Sequence, residues 1–264
     1  MEAMLNSQSF KCNAPLGGLV QLEQSQQLHP SLIFLQIPSA LSLSKANHQS
    51  VIEALLSHYS RVQPIAGKDY WSTRVWTLIT WQPIYLSVYA VHVMKKPLNL
   101  SCLQQRVEQA VIYGYGFQGP AFEDGDSQSP QQTLQTMARR LKEMIDELFD
   151  SLNALMPLNK ANSYGLIADS IMHALLALQE LDPNFDDLAV MEIAKQWCQA
   201  LGLINRKGQL LSELQTIKLD NQQTRLVLKR KSCCKHYLVD QDDLCNSCSR
   251  QSWQMRIKRY RSDS

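Results

Sequence analysis

Apolar positions along this chain recur mostly at helical spacing. Val51, Leu55, Leu56 and Tyr59 step by three and four residues and predict a helix over 48–61. Trp71, Val75, Leu78 and Ile79 repeat the pattern, and Gln82-Pro83 predicts a break with a second helix starting at Pro83. Leu134, Met137, Leu141, Met144, Ile145, Leu148, Phe149 and Leu152 then line one face of a long helix. Its start is unusually explicit: Ser129 suits the cap, Pro130 the first turn, and Gln132 completes a capping box. A further helix is predicted from about Ser163 to Leu181, stopped by Asp182-Pro183. A last one covers about Phe185 to Leu201, with Gly202 as its stop.

Shorter apolar runs predict strands at 31–37, ended by Pro38, and at Val111–Phe117. Ile217-Lys-Leu and Arg225–Lys229 flank Asp220-Asn-Gln-Gln and predict a hairpin. Between Gly119 and Ser129 the chain is rich in Gly, Asp and Ser, which marks the best candidate for a domain boundary. The expected fold is therefore α+β and predominantly helical, with small antiparallel sheets and a C-terminal hairpin leading into a cysteine-rich loop. An N-terminal α/β subdomain is expected over 1–122 and a C-terminal helical subdomain over 123–264. No internal repeat is visible.

Composition changes this picture little: 264 residues, 45% apolar and 19% charged, are ordinary for a globular chain. Charge is more informative once divided. Residues 225–264 hold ten Lys/Arg against four Asp, a local net of +6, while the rest of the chain carries −4. Glu2 and the short first apolar stretch do not read as a secretory signal. Val75–Met94 lacks charge and is long enough to cross a bilayer. Pro83 at its centre, with Thr77, Thr80, Ser87 and His92, favours two packed soluble helices instead. Peripheral contact with the inner membrane face stays open.

Of seven cysteines, Cys12, Cys102 and Cys198 stand singly among ordinary neighbours and read as buried free thiols in a reducing cytosol. The other four fall within sixteen residues as Cys233-Cys234, ten residues, then Cys245-Asn-Ser-Cys248. Four soft thiolates in that space suit zinc or iron–sulfur. Disulfides fit poorly, because a bond between adjacent cysteines closes a strained ring. Cys245-x-x-Cys248 is a normal zinc half-site, but Cys233-Cys234 is not, since neighbours on an extended chain point to opposite sides. A two-iron cluster is a wider target that adjacent thiolates can reach. Spacing thus leans toward a cluster and leaves structural zinc open.

The pattern Cys-Cys-x10-Cys-x2-Cys near the C-terminus resembles the ferric-siderophore reductases of the FhuF-like family. The likeness covers about Arg225 to Ser249, including the basic lead-in Lys229-Arg-Lys-Ser-Cys-Cys and Tyr237 three residues after the pair. Upstream, the Ser163-Tyr-Gly-Leu-Ile-Ala-Asp-Ser helix start is compatible without being diagnostic, and Ser249-Arg250 departs from the apolar residues or proline that can follow the last cysteine. The resemblance implies that Cys233, Cys234, Cys245 and Cys248 bind a 2Fe–2S cluster. It also implies one-electron reduction of siderophore-bound Fe(III), hydroxamate type favoured, to release Fe(II) in the cytoplasm. Electrons would come from a separate donor such as a ferredoxin or reductase, with no nucleic-acid partner. Two rivals remain: a zinc-ribbon-like module whose basic tail contacts nucleic acid, and an iron–sulfur sensor.

Other signals carry less. Lys229, Arg230, Lys231, Lys235 and the cations of 250–261 could steer an acidic donor or an anionic siderophore, stabilise a cluster's negative charge, or form a solvated tail. His236 is an alternate ligand only if a thiolate is missing. Gly114-Tyr-Gly-Phe-Gln-Gly119 spells a dinucleotide fingerprint, but no helix opens at its third glycine. Trp71, Trp76 and Trp81 read as core, and Asp240, Asp242 and Asp243 as a solvated loop.

Overall fold

The computed structural model describes residues 16–35, 42–122, 129–182, 184–240 and 244–262. Helices α1 (Leu16–Gln24), α2 (His48–Val62) and α3 (Gly67–Tyr89) accompany a sheet of β1 (Ser42–Leu43), β2 (Leu103–Glu108) and β3 (Val111–Phe117). Helices α4 (Pro130–Leu155), α5 (Lys160–Leu181) and α6 (Asp187–Ala200) follow, then the hairpin β4 (Glu213–Lys218) and β5 (Thr224–Lys229), and finally α7 (Trp253–Ser262). The fold is the expected one, predominantly helical with small antiparallel sheets.

The helix starts follow from side chains that satisfy the first unpaired amides. At α4, Ser129 Oγ accepts from the Gln132 amide and Gln132 Oε1 accepts from the Ser129 amide at 2.9 Å, so both halves of the capping box form. Helix α5 begins earlier than expected, because Asn159 Oδ1 accepts the Asn162 amide at 2.9 Å. At α6, Asp186 Oδ1 accepts the Ala189 amide at 2.7 Å.

The break expected at Pro83 does not occur: α3 runs unbroken through it. Proline removes the amide that would bond the carbonyl four residues back, which is Ile79. Gln105 of β2 fills the gap, its Nε2 donating to the Ile79 carbonyl at 3.1 Å. The helix ends in a π turn, Ala90–Met94, closed by Lys95 in the left-handed region. Most of the segment 75–94 is buried, with Val93 exposed, and no helix among the described residues is long and apolar enough to cross a membrane.

Among the described residues the predicted 31–37 strand is reduced to a single parallel bridge, Phe34 with Tyr115 of β3. The Tyr115 amide donates to the Ile33 carbonyl at 2.8 Å, and the Leu35 amide to the Tyr115 carbonyl at 2.7 Å. This close approach explains the glycines there: a Cβ on Gly116 would lie 2.7 Å from the Leu35 carbonyl oxygen. The fingerprint-like spacing thus serves strand contact.

Most of the expected domain boundary, 123–128, lies outside the described residues. The core crosses it. Trp76 on α3 is fully buried, stacks edge-on with Phe149 of α4 at 5.7 Å, and donates from Nε1 to the Ser163 carbonyl of α5 at 2.9 Å. Helices from both sides of 122 therefore share apolar packing, which carries most helical stability.

Candidate metal centre

The cysteine segment leaves the end of β5 and is pinned to α5 before it reaches Cys233. Asp169, buried on α5, accepts from Ser212 Oγ at 2.6 Å, from Ser232 Oγ, and from Arg230 Nε at 2.7 Å. Gly165, one turn earlier, lets the chain approach: a Cβ there would meet Ser232 Cβ at 2.9 Å. Asn162, nearer the start of α5, accepts from the Cys233 amide at 2.9 Å and donates to the Cys233 carbonyl at 3.0 Å.

Beyond this anchor, Lys235 takes a left-handed backbone (φ 62°) and turns the chain into a short 3-10 helix, His236–Leu238, against α3. The His236 ring packs against Tyr70 at 6.3 Å. The second pair forms its own turn, the Cys248 amide donating to the Cys245 carbonyl at 2.9 Å. Gln251 Nε2 donates to that same carbonyl at 2.9 Å. Cys248 is buried, while Cys233, Cys234 and Cys245 are half-buried, close to the surface.

The two pairs approach each other through Cys234 and Cys245, whose side chains shift each other's titration. Cys245 beside it is the main cause holding the Cys234 thiol below the ordinary thiol range; burial opposes it, and the His236 amide and the Arg230 charge assist. Cys234, with burial, pushes Cys245 far up. Arg230 Nη1 lies 4.0 Å from Cys245 Sγ, so its guanidinium bridges Asp169 and the sulfurs.

Among the described residues, no three His, Cys, Asp or Glu side chains gather around a single-ion position. Cys234 and Cys245 are the donors that approach each other; Cys248 follows Cys245 in its turn, and the described contacts of Cys233 run through its backbone. The donor set suits a thiolate-held cluster in chemistry: it is all sulfur, a guanidinium lies beside it, and Cys234 of one pair approaches Cys245 of the other. Asp240 is exposed, and Asp242 and Asp243 lie outside the described residues.

Part of the basic tail is built into the fold. Arg256 is buried and donates from Nη1 to the Arg230 carbonyl at 2.8 Å. Arg259 Nη1 donates to the Leu244 carbonyl, and Arg261 Nε to the Lys218 carbonyl at 2.9 Å. Arg250 stacks on the Tyr237 ring at 3.8 Å. Helix α7 is thus a clasp laid across the hairpin and the cysteine loop. Sequence reasoning missed it, although Trp253, Ile257 and Tyr260 stand at helical spacing. Asn162, Gly165 and Asp169 were also missed as site residues; an acid and a glycine inside an otherwise apolar helix was their signal.

The remaining thiols lie apart from this centre. Cys198 is fully buried and pushed up to about 12 by burial, as an inert core thiol should be. Cys102 is half-buried and accepts from Asn99 Nδ2 at 3.3 Å. Cys12 lies outside the described residues.

No family model matches the chain, and no solved structure matches it. The likeness to FhuF-like reductases rests on the cysteine segment itself.

Proposed function

We propose that this protein is a cytoplasmic one-electron reductase of ferric siderophores, with Cys233, Cys234, Cys245 and Cys248 holding a 2Fe–2S cluster. The observation that carries the reading is the approach of Cys234 to Cys245 beside the Arg230 guanidinium, whose Nη1 lies 4.0 Å from Cys245 Sγ. It joins an adjacent pair to a Cys-x-x-Cys pair and presents a cation to their sulfurs. When bound, the cluster supplies a one-electron carrier able to convert siderophore-held Fe(III) to Fe(II), which hard oxygen ligands grip far less tightly.

The chain's own residues hold and expose that centre. Asn162 fixes the backbone of the first pair, Gln251 that of the second, and α7 closes the loop onto β5. Three of the four cysteines stay half-buried, which suits exchange with a large, polar iron complex on one side and a protein donor on the other. The reading calls for a separate donor, ferredoxin-like or a reductase; Gly114 and Gly116 of the fingerprint-like run are taken up by the approach of 33–35 to β3. The rival reading, a basic tail that contacts nucleic acid, is favoured less by Arg256, Arg259 and Arg261, each of which directs a donor to a backbone carbonyl within the fold.

The test is stoichiometric. Protein reduced with dithionite and freed of excess reductant is mixed anaerobically with a ferric hydroxamate and a ferrous chelator. The reading expects one Fe(II) captured per electron lost, with the visible bands of the oxidised protein returning. Reduced protein that no siderophore class re-oxidises would sink the reductase reading.

A further inference from the structure

We infer that Asp169 and Arg230 form the charge-compensating unit of the cysteine site, with Asp169 acting through Arg230 as a positioning residue. This rests on the reading of the four cysteines as cluster ligands. Four thiolates around two irons carry net negative charge, and the arriving electron adds one more. A fixed positive charge beside them favours the reduced state, and more strongly where water is excluded.

Arg230 meets those conditions. Its side chain is only 12% exposed, against 36% for Lys229 and 40% for Lys231, so its field is the least screened of the three. It cannot swing away. Nε is bonded to Asp169 at 2.7 Å, and its own carbonyl is held by Arg256 at 2.8 Å. Asp169 is in turn fixed by Ser212 and Ser232. The guanidinium fork is what allows both contacts at once, Nε toward the carboxylate and Nη1 toward Cys245. A lysine ammonium keeps the charge but offers no such fork.

The pair is neutral in sum but oriented, with its positive end toward the sulfurs and its negative end in α5. Removing either member therefore shifts the reduction potential in opposite directions. Arg230→Gln leaves the buried carboxylate facing the site and lowers the potential. Asp169→Asn leaves the guanidinium uncompensated and raises it. Arg230→Lys falls between wild type and Arg230→Gln.

The experiment is a redox titration of the full-length, iron-loaded protein and these three variants, followed by visible absorption, with iron content and melting temperature as controls. Lys229→Gln, a half-exposed neighbour, is expected to leave the potential near wild type. Opposed shifts for Arg230→Gln and Asp169→Asn support the inference; a purely architectural role would lower melting temperatures without opposed shifts. If Asp169→Asn does not retain iron, the Arg230 pair decides: Arg230→Lys matching Arg230→Gln in potential overturns the inference. Wild-type protein that carries no cluster would instead overturn the reading beneath it.

Discussion

Asn162 holds Cys233 at both ends of its backbone, accepting from its amide at 2.9 Å and donating to its carbonyl at 3.0 Å. A side-chain amide here does what a neighbouring strand would do, at a place where the chain has left the β4–β5 hairpin. The first cysteine pair is thereby registered against α5.

Asn162→Ala should leave both backbone groups without their partner and cost about 1–3 kcal/mol. Iron retention should fall with it, because the pair is no longer fixed relative to Cys245. Thermal melting and the iron-to-protein ratio are the readouts. A variant that melts and loads like wild type would show that the tether is dispensable.

Gly165→Ala gains roughly 1 kcal/mol of helix propensity. It also drives a Cβ to 2.9 Å from Ser232 Cβ, where both elements are well packed. Overpacking of this kind costs about 1–3 kcal/mol, so the net change should be destabilising by a few degrees in Tm. An unchanged or higher Tm would mean that the segment after β5, around Ser232, can retreat from α5.

Gln105→Ala should destabilise the protein by about 1–3 kcal/mol, because it leaves the Ile79 carbonyl unpaired inside the core. In a Pro83→Ala background the restored backbone amide can serve that carbonyl, and the Gln105 penalty should shrink. Urea denaturation of the four proteins of this cycle measures the coupling. Additive effects would contradict the replacement.

His92, in the π turn, accepts from Trp197 Nε1 at 2.9 Å and is pushed down to about 4, first by burial and then by Lys95. The unfolded chain titrates near 6.5, so below that pH it takes up a proton that the folded chain refuses. This contribution is constant above pH 6.5 and declines as pH falls toward 4, by up to about 3 kcal/mol. His92→Gln, which keeps an acceptor for Trp197, should flatten the slope between those values. An equally steep slope in the variant would assign the acid sensitivity elsewhere.

Much of this architecture is legible in the sequence. The capping box at Ser129, the helix-length apolar stripes and the 217–229 hairpin each carry local signals that the tertiary structure does not override. Pro83 misled because its missing hydrogen bond is supplied from β2, and no local pattern announces a distant donor. Strand β2 was missed for a related reason: Gln104 and Gln105 are buried there, so alternation of apolar and polar residues is absent. At the site, the four cysteines are legible because soft donors in close pairs have few other uses. The residues that hold them, Asn162, Gly165 and Asp169, lie some seventy positions upstream and come together with them only through the packing of β5 on α5. The basic tail showed its charge in the sequence but not its job, because a guanidinium bonded to a carbonyl and one facing solvent are spelled the same way.

The central claim is tested most directly by purifying the protein anaerobically and measuring bound iron, acid-labile sulfide and visible absorption together. The account predicts two irons and two sulfides per chain, with charge-transfer bands that bleach on dithionite. Replacing Cys233, Cys234, Cys245 or Cys248 singly by Ser should abolish or strongly weaken those bands, while replacing Cys198 should not. A colourless protein holding one zinc would contradict it.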